Sequence, residues 1–180
     1  GNLIVGYDEA RSSGSDKSGS HNLVVGPNHN YTSYVGLVVG YENTISGEYA
    51  SVSGGSNNEA SGMSSSVNGG THNTSSSNYS SVSGGEFNTA SGSYASISGG
   101  YYNTASGTSS SVSGGYDNTV IGTYSSVSGG YDNTASGDFA SVSGGYDNTA
   151  SGVASCVSGG LTRSVSGSYD WRAGGLFEDS

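Results

Sequence analysis

Ser141-Val142-Ser143-Gly144-Gly145-Tyr146-Asp147-Asn148-Thr149-Ala150-Ser151-Gly152-Val153-Ala154-Ser155 is one turn of a repeat that fills most of this chain. Gly-Gly pairs begin at Gly54, Gly69, Gly84, Gly99, Gly114, Gly129, Gly144, Gly159 and Gly174, fifteen residues apart each time. A fixed period of this size marks a stacked-repeat architecture, in which each unit buries its apolar face only against its neighbours.

Each column of the repeat obeys its own rule. The second column is Val52, Val67, Val82, Ile97, Val112, Val127, Val142 and Val157, β-branched as a buried strand position should be. The eighth is Asn43, Asn58, Asn73, Asn88, Asn103, Asn118, Asn133 and Asn148, broken at Arg163. Stacked carboxamides can hand hydrogen bonds from coil to coil. The tenth column is small apart from Ile45, Val120 and Val165, and the twelfth is glycine except at Ser77.

One unit therefore reads as two short strands, roughly 50–54 and 58–61, joined by turns. Gly55 and Gly62 are expected to supply positive φ at the corners. Alternation turns Val52, Asn58 and Ala60 inward, and Ser51 and Ser53 outward. The expectation is an all-β parallel β-solenoid, or β-roll, of about twelve stacked coils, with no helix. At ~4.8 Å per coil the rod would be roughly 55 Å long.

Composition agrees with a solenoid rather than a globule. Glycine is 33 of 180 residues, charged residues are 10%, and the net charge is −10. Only Arg11, Lys17, Arg163 and Arg172 are basic, which leaves no patch for nucleic acid. No apolar run is long enough to insert in a membrane as a helix. Cys156 is the single cysteine and cannot form an intrachain disulfide.

Three zones follow. Residues 1–50 hold variant coils with an inserted loop at 8–17, expected to be exposed; residues 51–170 hold regular coils; residues 171–180 form a partial coil or cap. In the first zone, Asn2-Leu3-Ile4-Val5-Gly6, Asn22-Leu23-Val24-Val25-Gly26 and Gly36-Leu37-Val38-Val39-Gly40 align with Ser51-Val52-Ser53-Gly54-Gly55. In that alignment Ile4, Val24 and Val38 fall in an outward column that is otherwise serine. An outward apolar stripe needs cover, and an oligomer seam is the expected one. A folded-back flanking segment and a locally wider core are the alternatives.

Aromatic residues share two further columns. Tyr41, Tyr101, Tyr116, Tyr131 and Tyr146 occupy the sixth, and Tyr49, Tyr79, Tyr94, Tyr124, Phe139 and Tyr169 the fourteenth. Stacking within the chain is the first expectation for them; a subunit interface or a surface-glycan platform is also open. Asp117, Asp132 and Asp147 stack in adjacent coils as a solvated acidic edge or a weak Ca²⁺ site. His21, His29 and His72 fall in unrelated columns, so no histidine metal site is expected. No paired base accompanies the serines, and no catalytic residues are assigned.

Asn22-Leu23-Val24-Val25-Gly26 and Gly36-Leu37-Val38-Val39-Gly40 resemble the Ser-Val-Ala-Ile-Gly core of trimeric autotransporter adhesin heads, the YadA-like heads. The Ser-Val-Ser-Gly-Gly units resemble it more loosely. The whole chain is also similar to uncharacterised bacterial repeat proteins that share the opening Gly1 to Tyr7, the Ser-Val-Ser-Gly-Gly and Asn-Thr-Ala-Ser-Gly units, and the ending Leu176 to Asp179. The adhesin resemblance implies a left-handed roll, a homotrimer and a bacterial cell-surface location.

The functional expectation is a non-enzymatic, extracellular structural or adhesive module without cofactor. It would associate with copies of itself as a homotrimer or an end-to-end filament. A phage or virion fibre segment is the same object in another setting. A ligand-binding solenoid is the alternative of a different class. The threonine column at Thr44, Thr74, Thr89, Thr104, Thr119, Thr134 and Thr149 suits an ice-binding face, though its partner column is serine.

Overall fold

β-Branched residues placed one coil apart stack directly on one another. The computed structural model describes residues 1–12 and 14–173. In it Val52 pairs in parallel register with Val67, Val67 with Val82, and so on to Val157. Among the described residues the strands form two parallel sheets, one of 12 strands and one of 10. The first sheet runs from Leu3–Val5 to Trp171–Arg172, and the second from Asn30–Tyr31 to Ser164–Val165. The Gly-Gly pair at Gly174 and the remainder of the expected C-terminal cap lie outside the described residues.

The strands are shorter than the sequence suggests. A typical coil holds Ser51–Val52 in one sheet and Glu59–Ala60 in the other. A third, single-residue ladder runs along the sixth column, from Tyr41 through Ser56, Thr71 and Glu86 to Leu161. A coil of fifteen residues must turn back on itself so soon that only two or three residues at a time stay extended.

The corners differ from expectation. Gly55 does have positive φ, at 77°, but Gly62 does not. Its lack of a side chain serves close approach instead: a Cβ there would lie 2.0 Å from the Ser77 carbonyl oxygen of the next coil. The left-handed corner residues are mostly not glycine. They fill the seventh and fourteenth columns, as in Asn57 (56°), Asp117 (55°), Tyr94 (59°) and Phe139 (59°). Asn and Asp tolerate this region well, and aromatics less so; stacking between coils offsets the cost.

The interior is a narrow strip. Val52, Val67, Val82, Val112, Val127 and Val142 are at most 1% exposed, and Ala60, Ala90, Ala105, Ala135 and Ala150 are fully buried. Burying one valine side chain contributes about 1.5–3 kcal/mol. A further inward column, missed in the sequence, is the fifteenth: Ala50, Ser65, Ser80, Ala95, Ser110, Ser125, Ala140 and Ser155 are buried.

The N-terminal register corrects the expected seam. Leu37 pairs with Ser51 and Val38 with Val52, one residue out of step with the alignment of the motifs. Val24 and Val38 therefore continue the inward valine column, at 1% and 0% exposure, and Ile4 packs on the same core. They are core, not seam. Steps from Leu23 to Leu37 to Ser51 are each fourteen residues. These coils carry one glycine where later coils carry two: Gly40 stacks on Gly55, the second member of the pair. A slip of one residue exchanges every inward and outward side chain. The outward apolar positions are Leu3, Leu23 and Leu37 with Val5, Val25 and Val39; Leu3 is 66% exposed and Val5 53%.

The inserted loop is docked rather than free. Tyr31 N–H donates to Asp16 O (3.0 Å), and Gly19 N–H donates to Tyr31 O (2.8 Å). These bonds close the N-terminal edge of the 10-stranded sheet. Arg11 Nε donates to Asn28 O (2.8 Å), and its Nη2 reaches Thr44 Oγ1 (3.0 Å) and Glu42 O. Lys17 pairs with Asp8 at 2.8 Å. Tyr31 hydroxyl donates to the same Asp8 carboxylate. Burial, together with that carboxylate, pushes the Tyr31 pKa up to about 12. Both loop cations are thus spent on tying the loop down.

Candidate functional surfaces

The asparagine column forms one continuous ladder, as its residue type implies. Asn43, Asn58, Asn73, Asn88, Asn103, Asn118, Asn133 and Asn148 are all at most 1% exposed. Asn103 shows the pattern. Its Oδ1 accepts from Asn118 N–H (3.0 Å) and from Asn118 Nδ2 (3.1 Å). Its Nδ2 donates to Gly99 O and Gly115 O, both at 3.0 Å. One carboxamide thereby joins three coils, since its Nδ2 also reaches Asn88 Oδ1 (3.1 Å), and it ties the first glycine of its own corner to the second glycine of the next. This is a structural element, and it leaves no polar atom of the side chain for a ligand.

His29 belongs to this ladder, contrary to its sequence placement. It sits in the asparagine column one fourteen-residue step before Asn43. Asn43 N–H donates to His29 Nδ1 (3.2 Å), so Nε2 carries the proton and donates to Val25 O (3.0 Å). The variant coil length hid the match. His29 is 2% exposed, and burial holds its pKa below the ordinary 6.5, with Arg11 adding to the effect. A pKa lower in the folded than in the unfolded state means folding excludes a proton. Stability is then complete above about pH 6.5 and falls as the pH drops through the folded pKa. Melting curves at neutral and mildly acidic pH should show this loss for the parent. His29→Asn, which restores the ladder amide, should show a smaller one; equal slopes would refute the assignment.

Aromatic columns stack within the chain. Tyr116 and Tyr131 rings lie 4.8 Å apart at 1°, and Tyr131 and Tyr146 are 4.8 Å apart at 2°. The seventh column adds His72, Phe87 and Tyr102, at 4.7 and 4.8 Å. Pairs also form in the fourteenth column, Tyr79 with Tyr94 and Tyr124 with Phe139. The sixth-column faces are occupied by neighbouring rings, so that ladder offers edges and hydroxyls to solvent rather than ring faces.

Asp117, Asp132 and Asp147 continue the seventh column below Tyr102, at φ of 55°, 56° and 55°. The left-handed corner accounts for Asp in this column. Among the described residues no three His, Cys, Asp or Glu side chains converge on a point that would hold a metal. Thr74, Thr89, Thr104, Thr119, Thr134 and Thr149 stack in register on the outer face of the 10-stranded sheet. Glu59 interrupts that column.

The outer face of the 12-stranded sheet is the most uniform surface. From Ser51 to Ser143 its two outward columns are serine, with Asn68 the exception. Six apolar residues, Leu3 to Val39, lie at one end, and Cys156 and Trp171 at the other. No charged side chain occupies either column among the described strands, whereas the carboxylates sit on the turns and the other sheet. No helix is long and apolar enough to cross a membrane among the described residues. No protein-family model matches the chain, and a search of curated proteins finds no match for it.

Proposed function

We propose that this protein is a non-enzymatic structural or adhesive module of the bacterial exterior, a rigid rod that associates with copies of itself. The observation that carries this reading is the unbroken in-register stack of coils, which repeats each outward side chain at one spacing along a straight edge. Such a stack gives multivalent display at no cost in flexibility. The resemblance of the Leu-Val-Val-Gly coils to adhesin heads supports the surface location.

The charge-free face of the 12-stranded sheet supports self-association. In a chain of net charge −10, this face lets two copies meet without opposing carboxylates. Charge depletion is also the compositional mark of interface centres. The seam of this proposal is Leu3, Leu23 and Leu37 with Val5, Val25 and Val39. Negative-stain images of rods or filaments, with a solution mass above the monomer, are the expected result. Leu3→Ser combined with Leu23→Ser should shift the mass toward monomer without changing the circular dichroism spectrum. A parent that stays monomeric ends the self-association reading, and compact globules end the rod.

A further inference from the structure

A longer period is superposed on the fifteen-residue one. Small residues interrupt the fourteenth-column aromatics at Ser64, Ser109 and Ala154, each 45 residues after the last. The buried fifteenth column keeps the same step. Among the described residues Ser65, Ser110 and Ser155, directly after the interruptions, are the serines whose buried hydroxyls have no partner. The true unit is therefore three coils, two with a large corner residue and one with a small one.

This arrangement opens a gap with parallel walls. Tyr94, Ser109 and Tyr124 have φ of 59°, 55° and 57°, so their side chains leave the corner in the same direction. Where neighbouring rings are both present they stack at 4.9 and 5.3 Å with planes within 14°. Tyr94 and Tyr124 are two coil steps apart, about 9.6 Å, with one ring missing between them. Both are 58% exposed. Ser109 stands between them in the column, and the thirteenth column beside it carries Ser93, Thr108 and Thr123.

We propose that these gaps are slots for a single neutral pyranose ring, with the Tyr94–Tyr124 slot the best formed. This rests on the reading of the rod as a display surface and names its ligand class. A guest ring midway between the walls lies about 4.8 Å from each, the spacing at which Tyr131 sits between Tyr116 and Tyr146, so the slot takes one ring and the hydroxyls beside it select a sugar. A sugar also brings a rim of hydroxyls, which the serine and threonine side chains can meet, whereas an aromatic side chain needs none. A second copy could offer only its lone rings, Tyr49 and Tyr169, and ring shifts that follow protein concentration without sugar would point to it and overturn the proposal.

The test uses the full chain with ring-labelled tyrosines, followed by NMR during titration with cellohexaose, chitohexaose and mannohexaose, and separately with the peptide Gly-Trp-Gly. One or more of the sugars should move the Tyr94 and Tyr124 ring signals. Ser109→Tyr fills the slot with the missing ring and should abolish those shifts, and filling all three slots (S64Y, S109Y and A154Y) should weaken binding by about tenfold or more, the value of two ring contacts. Tyr124→Leu removes one wall, keeps Ser109 and should abolish the Tyr94 ring shifts by an independent route, leaving the other two slots intact. Sugar binding that survives in the triply filled variant, Tyr94 shifts that survive in Tyr124→Leu, no binding by the parent, or binding of Gly-Trp-Gly alone overturns the proposal. Images of the same samples keep the two readings apart: rods without sugar binding remove only the slots, and globules remove the rod.

Discussion

Alanine at Gly70 should disrupt the rod locally, whereas alanine at Gly69, the residue before it, should be nearly silent. A Cβ on Gly70 would lie 2.1 Å from Gly85 O and 2.6 Å from Asn73 Nδ2, at a φ of +82°. The backbone of the next coil is the obstacle, and it cannot rotate away as a side chain would. Either the two coils separate and lose their ladder bonds, or the corner changes conformation; about 4 kcal/mol or more is expected. Gly69 has nothing within 4 Å of the added carbon, so its effect should stay within about 1 kcal/mol. Because a solenoid need not unfold as one unit, the check is amide hydrogen exchange across residues 58–88 alongside thermal melting. Equal effects at the two glycines would show that the coils do not approach as described.

The second large effect is expected from Asn103→Ala. The change leaves the buried Asn118 N–H without an acceptor and removes the donor to Gly99 O and Gly115 O. An orphaned buried group costs about 1–3 kcal/mol, and the vacated volume adds to it, for about 3 kcal/mol or more in total. Faster exchange should centre on Asn118 and its two adjoining coils. By contrast, Asn103→Asp keeps the acceptor but sets a carboxylate against two carbonyl oxygens, and it should be destabilising most strongly at neutral pH, where it is ionised. An Asn103→Ala protein that melts with the parent would mean the ladder contributes packing only.

The same two sites show why parts of the chain were readable in advance. Asn103 and Val112 sit in columns where a single residue type satisfies the position, so the repeat exposes them on inspection. The second glycine of each pair is legible for the same reason, although its role as a contact surface is not. The 45-residue period at Ser64, Ser109 and Ala154 is also present in the sequence, masked by the stronger short period. Left-handed corners were missed because Tyr94 and Phe139 are poor local candidates for them, and only the neighbouring coil makes that conformation affordable.

The seam illustrates the opposite case. Leu37-Val38-Val39 and Ser51-Val52-Ser53 admit two alignments, which place Leu37 or Val38 in the column of Val52. Polarity does not separate them, because all three residues of Leu37-Val38-Val39 are apolar; the β-branched character of the column favours Val38. Pairing across coils decides it, by stacking Gly40 on Gly55 and leaving Val38 above Val52. His29 entered the asparagine column through the same shift.

What the residues determined alone is the stacked parallel solenoid, its period and its valine and asparagine ladders, since each is a repeated local preference that neighbours reinforce. Tertiary structure decided which faces the N-terminal leucines and valines show, how the inserted loop closes a sheet edge, and where a ring is missing between two others. Those features depend on contacts between different turns of the chain, whose relative offset no single turn encodes.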